Sequence, residues 1–277
     1  MKKNYLESKV KTYGLRTLKT ILLPIIMYAV LCIIAPENFF KWSTFVMLIT
    51  QTIPYLAIGW AMVFGMSVGL FDFSVGATMI LSGLIGVYFS QRYGLPGFVI
   101  ACMVSSFVLT AITGLVYSIL KIPSIITGFA ALLVYESFGV ILSKNMVNTI
   151  NPAYLILGKK PYIYGVILIM FAIVYIVFNH TKFGYQIKAI GGDEHTAKSM
   201  GINTTKLKLL TYIVGGLFLG IATILMVSSD GTIQPKDNMT SMAKCFTPMM
   251  GVMIGMYLSS TNIIIGTFIG ELCITMV

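Results

Sequence analysis

What this sequence lacks most is charge. Only 10% of its 277 residues are Asp, Glu, Lys or Arg, while 57% are apolar. A soluble domain carries about a quarter charged residues to coat its surface. So little charge solvates no soluble shape of this size, and a mean hydropathy of +0.90 points to lipid as the solvent. At about 20 apolar residues per crossing, the apolar content suffices for roughly eight spans and leaves no extramembrane domain of note.

Other absences narrow the function. The four cysteines, Cys32, Cys102, Cys245 and Cys273, are far apart and contain no CxxC pair, which excludes a metal knuckle or a dithiol centre. They read as small apolar packing residues. His180 and His195 are too few and too separated for a metal site. A net charge of +10 would suggest nucleic acid in a soluble chain, but no basic run interleaved with aromatics is present. No GxxxxGK[ST] occurs, so ATP hydrolysis belongs to another polypeptide if it is involved at all. No HExxH and no paired membrane aspartates occur, which argues against a membrane enzyme. No cofactor or metal is expected on this chain. Eighteen methionines and fifteen tyrosines suit packing and membrane interfaces and mark no site.

What is present is a series of apolar runs. They lie near Leu18 to Ala35, Phe45 to Gly65, Val75 to Ser90, Phe98 to Leu120 and Ile122 to Leu142. They continue near Tyr162 to Phe178, Leu209 to Val227, Ala243 to Leu258 and Ile263 to Val277. None alternates as a barrel strand would, so all are expected to be helices. The expected fold is an all-α polytopic membrane protein of about eight to ten transmembrane helices, treated as a single permease domain over 1–277. Some spans should be broken or re-entrant: Pro54 interrupts the second, and Pro248 with Gly251 and Gly255 the eighth. The last run reaches only about 22 Å, short of a hydrocarbon core of about 30 Å. The basic N-terminus resembles a signal peptide, yet no small-residue cleavage site precedes Pro36-Glu37-Asn38, so a retained first span is expected. With the N-terminal segment 1–18 inside, inner segments carry twelve Lys and Arg and outer loops seven. That bias puts the loop 179–208 in the cytoplasm.

Three acidic residues stand inside this apolar background. Asp72, in GLFDFSVGA, precedes the run starting at Val75; Asp72 or Ser74 can cap that helix. A carboxylate at the bilayer centre costs about 2.5–3.5 kcal/mol on insertion scales, and a helix start offsets much of this through N–H bonds and the dipole. Capping alone is the simpler role for Asp72; direct solute contact, with Phe73 and Ser74, is the alternative. Glu136 sits mid-span with no cap to form, and so is a candidate to be protonated, to pair across a dimer, or to line a path. Glu271 raises the same question in the last run.

The loop NHTKFGYQIKAIGGDEHTAKSMGINTTKLK is the one long polar stretch after the N-terminus. Gly191-Gly192 is expected to break the chain, Asp193 to cap a two-turn helix with Glu194 in its first turn, and Gly201 to end it. Asn203 with Thr204 and Thr205 offers a second cap for the next span. A short helix therefore lies between two spans at the cytoplasmic surface, as an ordinary connector or as a docking element for a partner.

These two segments together resemble the membrane permeases of ribose-type ABC importers. In that family a Gly-Ile-Asp-Leu-Ser-Val-Gly-type segment opens the third helix, here Gly69 to Gly76 with one extra residue. An Ala-x-Gly-Gly-Asn/Asp-Glu-x-Ala-x-x-x-Gly-Ile-Asn segment forms the cytoplasmic loop that contacts the ATPase, here Ala189 to Asn203. The resemblance implies coupling roles for Gly191, Gly192, Asp193, Glu194, Ala197 and Gly201. It implies a partner ATPase carrying ATP and Mg, a second permease chain in a homodimer or heterodimer, an extracytoplasmic solute-binding protein, and a bacterial plasma-membrane location. The expected solute is small and polar, a monosaccharide such as ribose. Alternatives are a nucleoside or other non-sugar solute, or an ion-coupled secondary transporter or channel. Three departures accompany it: Cys245 to Gly255 replaces a glycine-rich passage, Glu136 stands where members often carry Arg, and the chain stops before the family's last helix.

Overall fold

Hydrocarbon offers no partner for a peptide N–H or C=O, so each apolar run must satisfy its own backbone as a helix. The computed structural model describes residues 22–258 and 262–276; the expected cytoplasmic segment 1–18 lies outside the described residues. The helices are α1 (Leu22–Ile34), α2 (Pro36–Phe39), α3 (Trp42–Met66), α4 (Val75–Leu120), α5 (Ser124–Ser143), α6 (Tyr162–His180), α7 (Lys182–Gly192), α8 (Glu194–Ser199), α9 (Thr204–Asp230), α10 (Ala243–Tyr257) and α11 (Ile263–Thr275). Short 3-10 turns occupy Pro152–Gly158 and Thr240–Met242.

Among the described residues, α3, α4, α5, α6 and α9 are long and apolar enough to cross a membrane. The 46 residues of α4 would reach about 69 Å as one rod, more than twice the core thickness of about 30 Å. It is instead a hairpin. Gly94 takes φ 67°, ψ −153°, a conformation closed to L side chains, and the chain doubles back there. Ser106 Oγ meets Ser82 Oγ at 2.9 Å, and Gly86 lies against Phe98 and Cys102. Ser82 and Ser106 are equally far from Gly94, as are Gly86 and Cys102, so α4 supplies two crossings, matching the two separate runs expected there.

The expected breaks at Pro54 and Pro248 do not occur: α3 and α10 run through them as continuous helices. The break that does occur lies between α3 and α4, where residues 67–74 leave the helix.

The chain divides into two compact units. One comprises Trp60–Phe246. Its core packs Val87, Phe98 and Cys102 of the α4 hairpin against Ile224 and Val227 of α9 and against Ile150 and Ile233. A second cluster joins Ala77 and Leu81 of α4 to Leu132 and Tyr135 of α5. The loops that follow α5 and α9 are tied by a bridge between Thr149 and Thr232.

The other unit holds the residues up to Gly59 and those from Thr247 onward. Here α10 and α11 meet backbone to backbone. A Cβ at Gly270 would stand 2.2 Å from Gly251 O, and one at Gly266 2.6 Å from Gly255 O. Each helix thus carries a small-xxx-small face, the usual means of close helix contact in lipid. Gly251 and Gly255, expected to interrupt a span, are its packing surface.

Candidate functional site

The loop 179–208 builds its exposed helix from local bonds. Asp193 leaves helical geometry at φ −158°, ψ 111°, and its Oδ1 accepts from His195 N at 3.0 Å. Its Oδ2 accepts from the Thr196 hydroxyl. These two bonds, the Thr196 hydroxyl first and the His195 N–H second, hold the Asp193 carboxyl below the usual carboxylate range. At the other end Gly201 takes φ +84°. Ile202 N reaches Ala197 O at 3.2 Å and Gly201 N reaches Lys198 O at 3.0 Å, the bond pair of a Schellman motif. Ala197 is buried while Glu194, His195, Thr196, Lys198 and Ser199 are exposed. So α8 rests on one small residue and presents the rest outward. Glu194 bridges to Lys208 at 2.8 Å, fastening α8 to the first turns of α9, which Asn203 caps by accepting from Lys206 N at 3.0 Å.

Gly191 and Gly192 differ from expectation. They form the last turn of α7 instead of a break, and the chain turns at Asp193. Gly191 is there for proximity: a Cβ would stand 2.2 Å from the carbonyl of Ser67, at the end of α3. Gly192 meets nothing within 4 Å. The buried face of α7 is Gly184, Ile187 and Ile190, a helical spacing that was present in the sequence but obscured by its glycines.

Sequence reasoning also missed the link from this loop into the membrane. Phe64 of α3 stacks on Phe218 of α9 at 5.3 Å and on Phe183 of α7 at 6.0 Å, and meets Phe178 of α6 edge-on at 5.9 Å. Four helices thus share one aromatic cluster, to which the loop itself contributes Phe183. Lys188 packs on the Phe178 and Tyr185 rings and donates to Asn179 Oδ1 at 2.8 Å; partial burial lowers its pKa. Phe64, Phe178 and Phe218 lay in unremarkable apolar runs and Phe183 in the polar loop, and no spacing joined them.

At the break between α3 and α4, Asp72 Oδ1 accepts from Ser74 N at 2.8 Å, whereas the Ser74 hydroxyl makes no cap bond. The segment is pressed onto α5: Phe71 N donates to Ser124 Oγ at 3.1 Å, and Gly128 lies against Phe73 N and Asp72. Phe73 stacks on Phe129 at 4.8 Å, and its carbonyl accepts from Cys245 Sγ at 3.4 Å. Asp72 also borders a cavity with Gly65, Leu70, Thr110, Tyr212 and Gly216, where the Tyr212 hydroxyl is buried without a partner among the described residues. The cavity volume is about 40 Å³. At roughly 10–15 Å³ per water it admits a few waters and is too small for a monosaccharide. Residues 65–69 also have Gly-x-Ser-x-Gly spacing, but Ser67 ends a helix and its buried hydroxyl has no hydrogen-bonded base among the described residues.

Glu136 is far from this cavity in role. Its Oε1 accepts from Ser241 N at 2.7 Å and its Oε2 from Met239 N at 2.8 Å. The structure therefore brings Asp72, Phe73 and Ser74 together at one helix break and places Glu136 apart, on the turn that leads into α10.

Among known proteins, residues 44–277 match the family described as branched-chain amino acid transport system / permease component. The chain is 24% identical over 225 residues to the fructose import permease protein FrcC of Rhizobium meliloti, spanning 73% of this chain and 61% of that protein. It is 25% identical over 272 residues to the autoinducer 2 import system permease protein LsrC of Yersinia pseudotuberculosis, spanning 93% of this chain and 75% of that one. LsrC of Yersinia pestis matches equally. No solved structure matches.

Proposed function

Because this chain belongs to the branched-chain amino acid transport system / permease component family, we propose that it is the membrane subunit of an ATP-driven importer of a small polar, sugar-type solute. It is a multi-pass membrane protein, and its relatives, import permeases for fructose and for autoinducer 2, support the solute class. Ribose remains one candidate within that class, on the strength of the segment Gly69 to Gly76.

The observation that carries the reading is α8: a helix capped at both ends, exposed on all but Ala197 and fastened by Glu194 to a membrane helix. A free connector needs neither cap nor brace. Seated in a groove of an ATPase subunit that binds ATP and Mg, α8 would pass nucleotide-driven motion through Lys208 to α9 and through α7 to the Phe64 cluster. A second permease chain and an extracytoplasmic solute-binding protein complete the machine in this reading. The permease performs no covalent chemistry.

The test is co-purification of the ATPase with chains altered in α8. Ala197→Asp places a carboxylate at a buried contact and should release the ATPase while the permease still inserts. Retention of the ATPase at the parent level by Ala197→Asp would remove α8 as the docking element.

A further inference from the structure

The chain between α9 and α10 does not stay at the outer surface. With the loop 179–208 in the cytoplasm, α5 runs from Ser124 inside to Ser143 outside, 20 residues or about 30 Å, which is one hydrocarbon thickness. Pro235 packs on Gly139 of α5. Met239 and Ser241 bind Glu136, seven residues or about 10 Å below the outer end. Further on, Cys245 reaches Phe73 and the N–H of Gly76, which donates to its Sγ at 2.9 Å. The segment therefore descends along α5, and α10 starts within the membrane.

Two features show that this descent is built. Asn238 and Met239 both take left-handed backbone, φ 62° and 61°, which is costly for a residue such as Met. The Glu136 carboxylate holds them there through the N–H groups on either side of Thr240. Four of the five side chains at this depth, Lys236, Asp237, Asn238 and Thr240, are polar and uncovered, and the fifth, Met239, is exposed as well. Lys236 is long enough to reach toward the interface, but Asp237 and Asn238, hydrogen-bonded to each other at 3.0 Å, are not. Hydrocarbon does not solvate such groups, and non-helical backbone at membrane depth is tolerated where it lines water or protein.

Resting on the importer reading, we propose that Lys236–Thr240, anchored by Glu136, lines the solute path and is its polyhydroxyl-recognising face. The set offers an ammonium, a carboxylate, an amide and a hydroxyl. It thus pairs donors with acceptors at zero net charge, as the hydroxyls of a neutral sugar require. Glu136 positions this face and does not touch the solute.

The experiment introduces Asp237→Cys and Asn238→Cys separately into the full transporter in right-side-out vesicles. Labelling by a membrane-impermeant cationic methanethiosulfonate is compared with Lys159→Cys in the outer loop, Leu168→Cys on the exposed face of α6, and the parent chain. Positions 237 and 238 should react at rates near that of 159 and far above that of 168. Loading the vesicles with ATP and vanadate should change the rates at 237 and 238 several-fold and leave 159 unchanged. Rates as low as at 168 would overturn the proposal, because the segment would then face lipid or protein. Fast rates that ignore nucleotide would also overturn it, because the segment would then be plain outer surface. Neither result touches the importer reading, which fails separately if no ATPase co-purifies.

Discussion

Glu136 has both carboxylate oxygens bound to backbone N–H groups, whereas Glu271, fully buried, has no partner for either oxygen among the described residues. The two should respond oppositely to substitution. Glu136→Ala strands two N–H groups and should cost about 2 kcal/mol or more of stability, while Glu136→Gln keeps one acceptor and loses less. Glu271 occupies a notch made by Gly59 and Gly251. Glu271→Met keeps the volume and removes the unpaired group, so thermal unfolding of the purified protein should show it equal to or more stable than the parent. A large loss would reveal a partner for the carboxyl outside the described residues. Neither fate was legible in the sequence. Glu136 and Met239 are 103 residues apart, and only the tertiary fold turns a mid-span acid into a clamp. The local roles were legible, because the Asp193 carboxylate and Gly201 bond to residues only two or three positions away. Asp193 also has a defined pH response. Its folded pKa lies below the unfolded value of about 3.9, so the cap's contribution is complete above that value and is lost as pH falls through the lower folded one. Between about pH 5 and 8 the cap adds no pH dependence to ATPase binding, which a pull-down across that range should show for Asp193 and for Asp193→Asn alike. Asp193→Ala should weaken binding throughout that range.

At the scale of elements, caps and hydropathy marked α8, α9 and both arms of α4 in advance, since each depends on local pattern. What escaped was α7. Its glycines suggested a break, yet Gly184, Ile187 and Ile190 keep one face buried and Gly191 lets that helix touch the carbonyl of Ser67. The physical reason is that a glycine needed for close approach and a glycine needed for a turn look the same in one sequence. Pro54 and Pro248 misled in the same way: a proline inside a membrane helix is tolerated when neighbours satisfy the freed carbonyl. Gly191→Val should push α7 away from α3 and uncouple ATP hydrolysis from uptake, whereas Gly192→Ala, with nothing within 4 Å of its added Cβ, should behave as the parent. Equal coupling ratios for the two variants in reconstituted vesicles would show that the α3–α7 contact carries no motion.

For the whole molecule, scarcity of charge determined the class, and the paired segments at Gly69 to Gly76 and Ala189 to Asn203 indicated the family that residues 44–277 match. The central claim is that α8 faces the cytoplasm and grips the ATPase. Met200, 68% exposed just past the end of α8, offers the most direct test. Met200→Cys in the assembled transporter should crosslink to the ATPase subunit through a short bifunctional thiol reagent and should resist an impermeant thiol reagent added from outside. Labelling of that cysteine from the extracellular side, or uptake driven by ATP with no crosslink formed, would contradict the account.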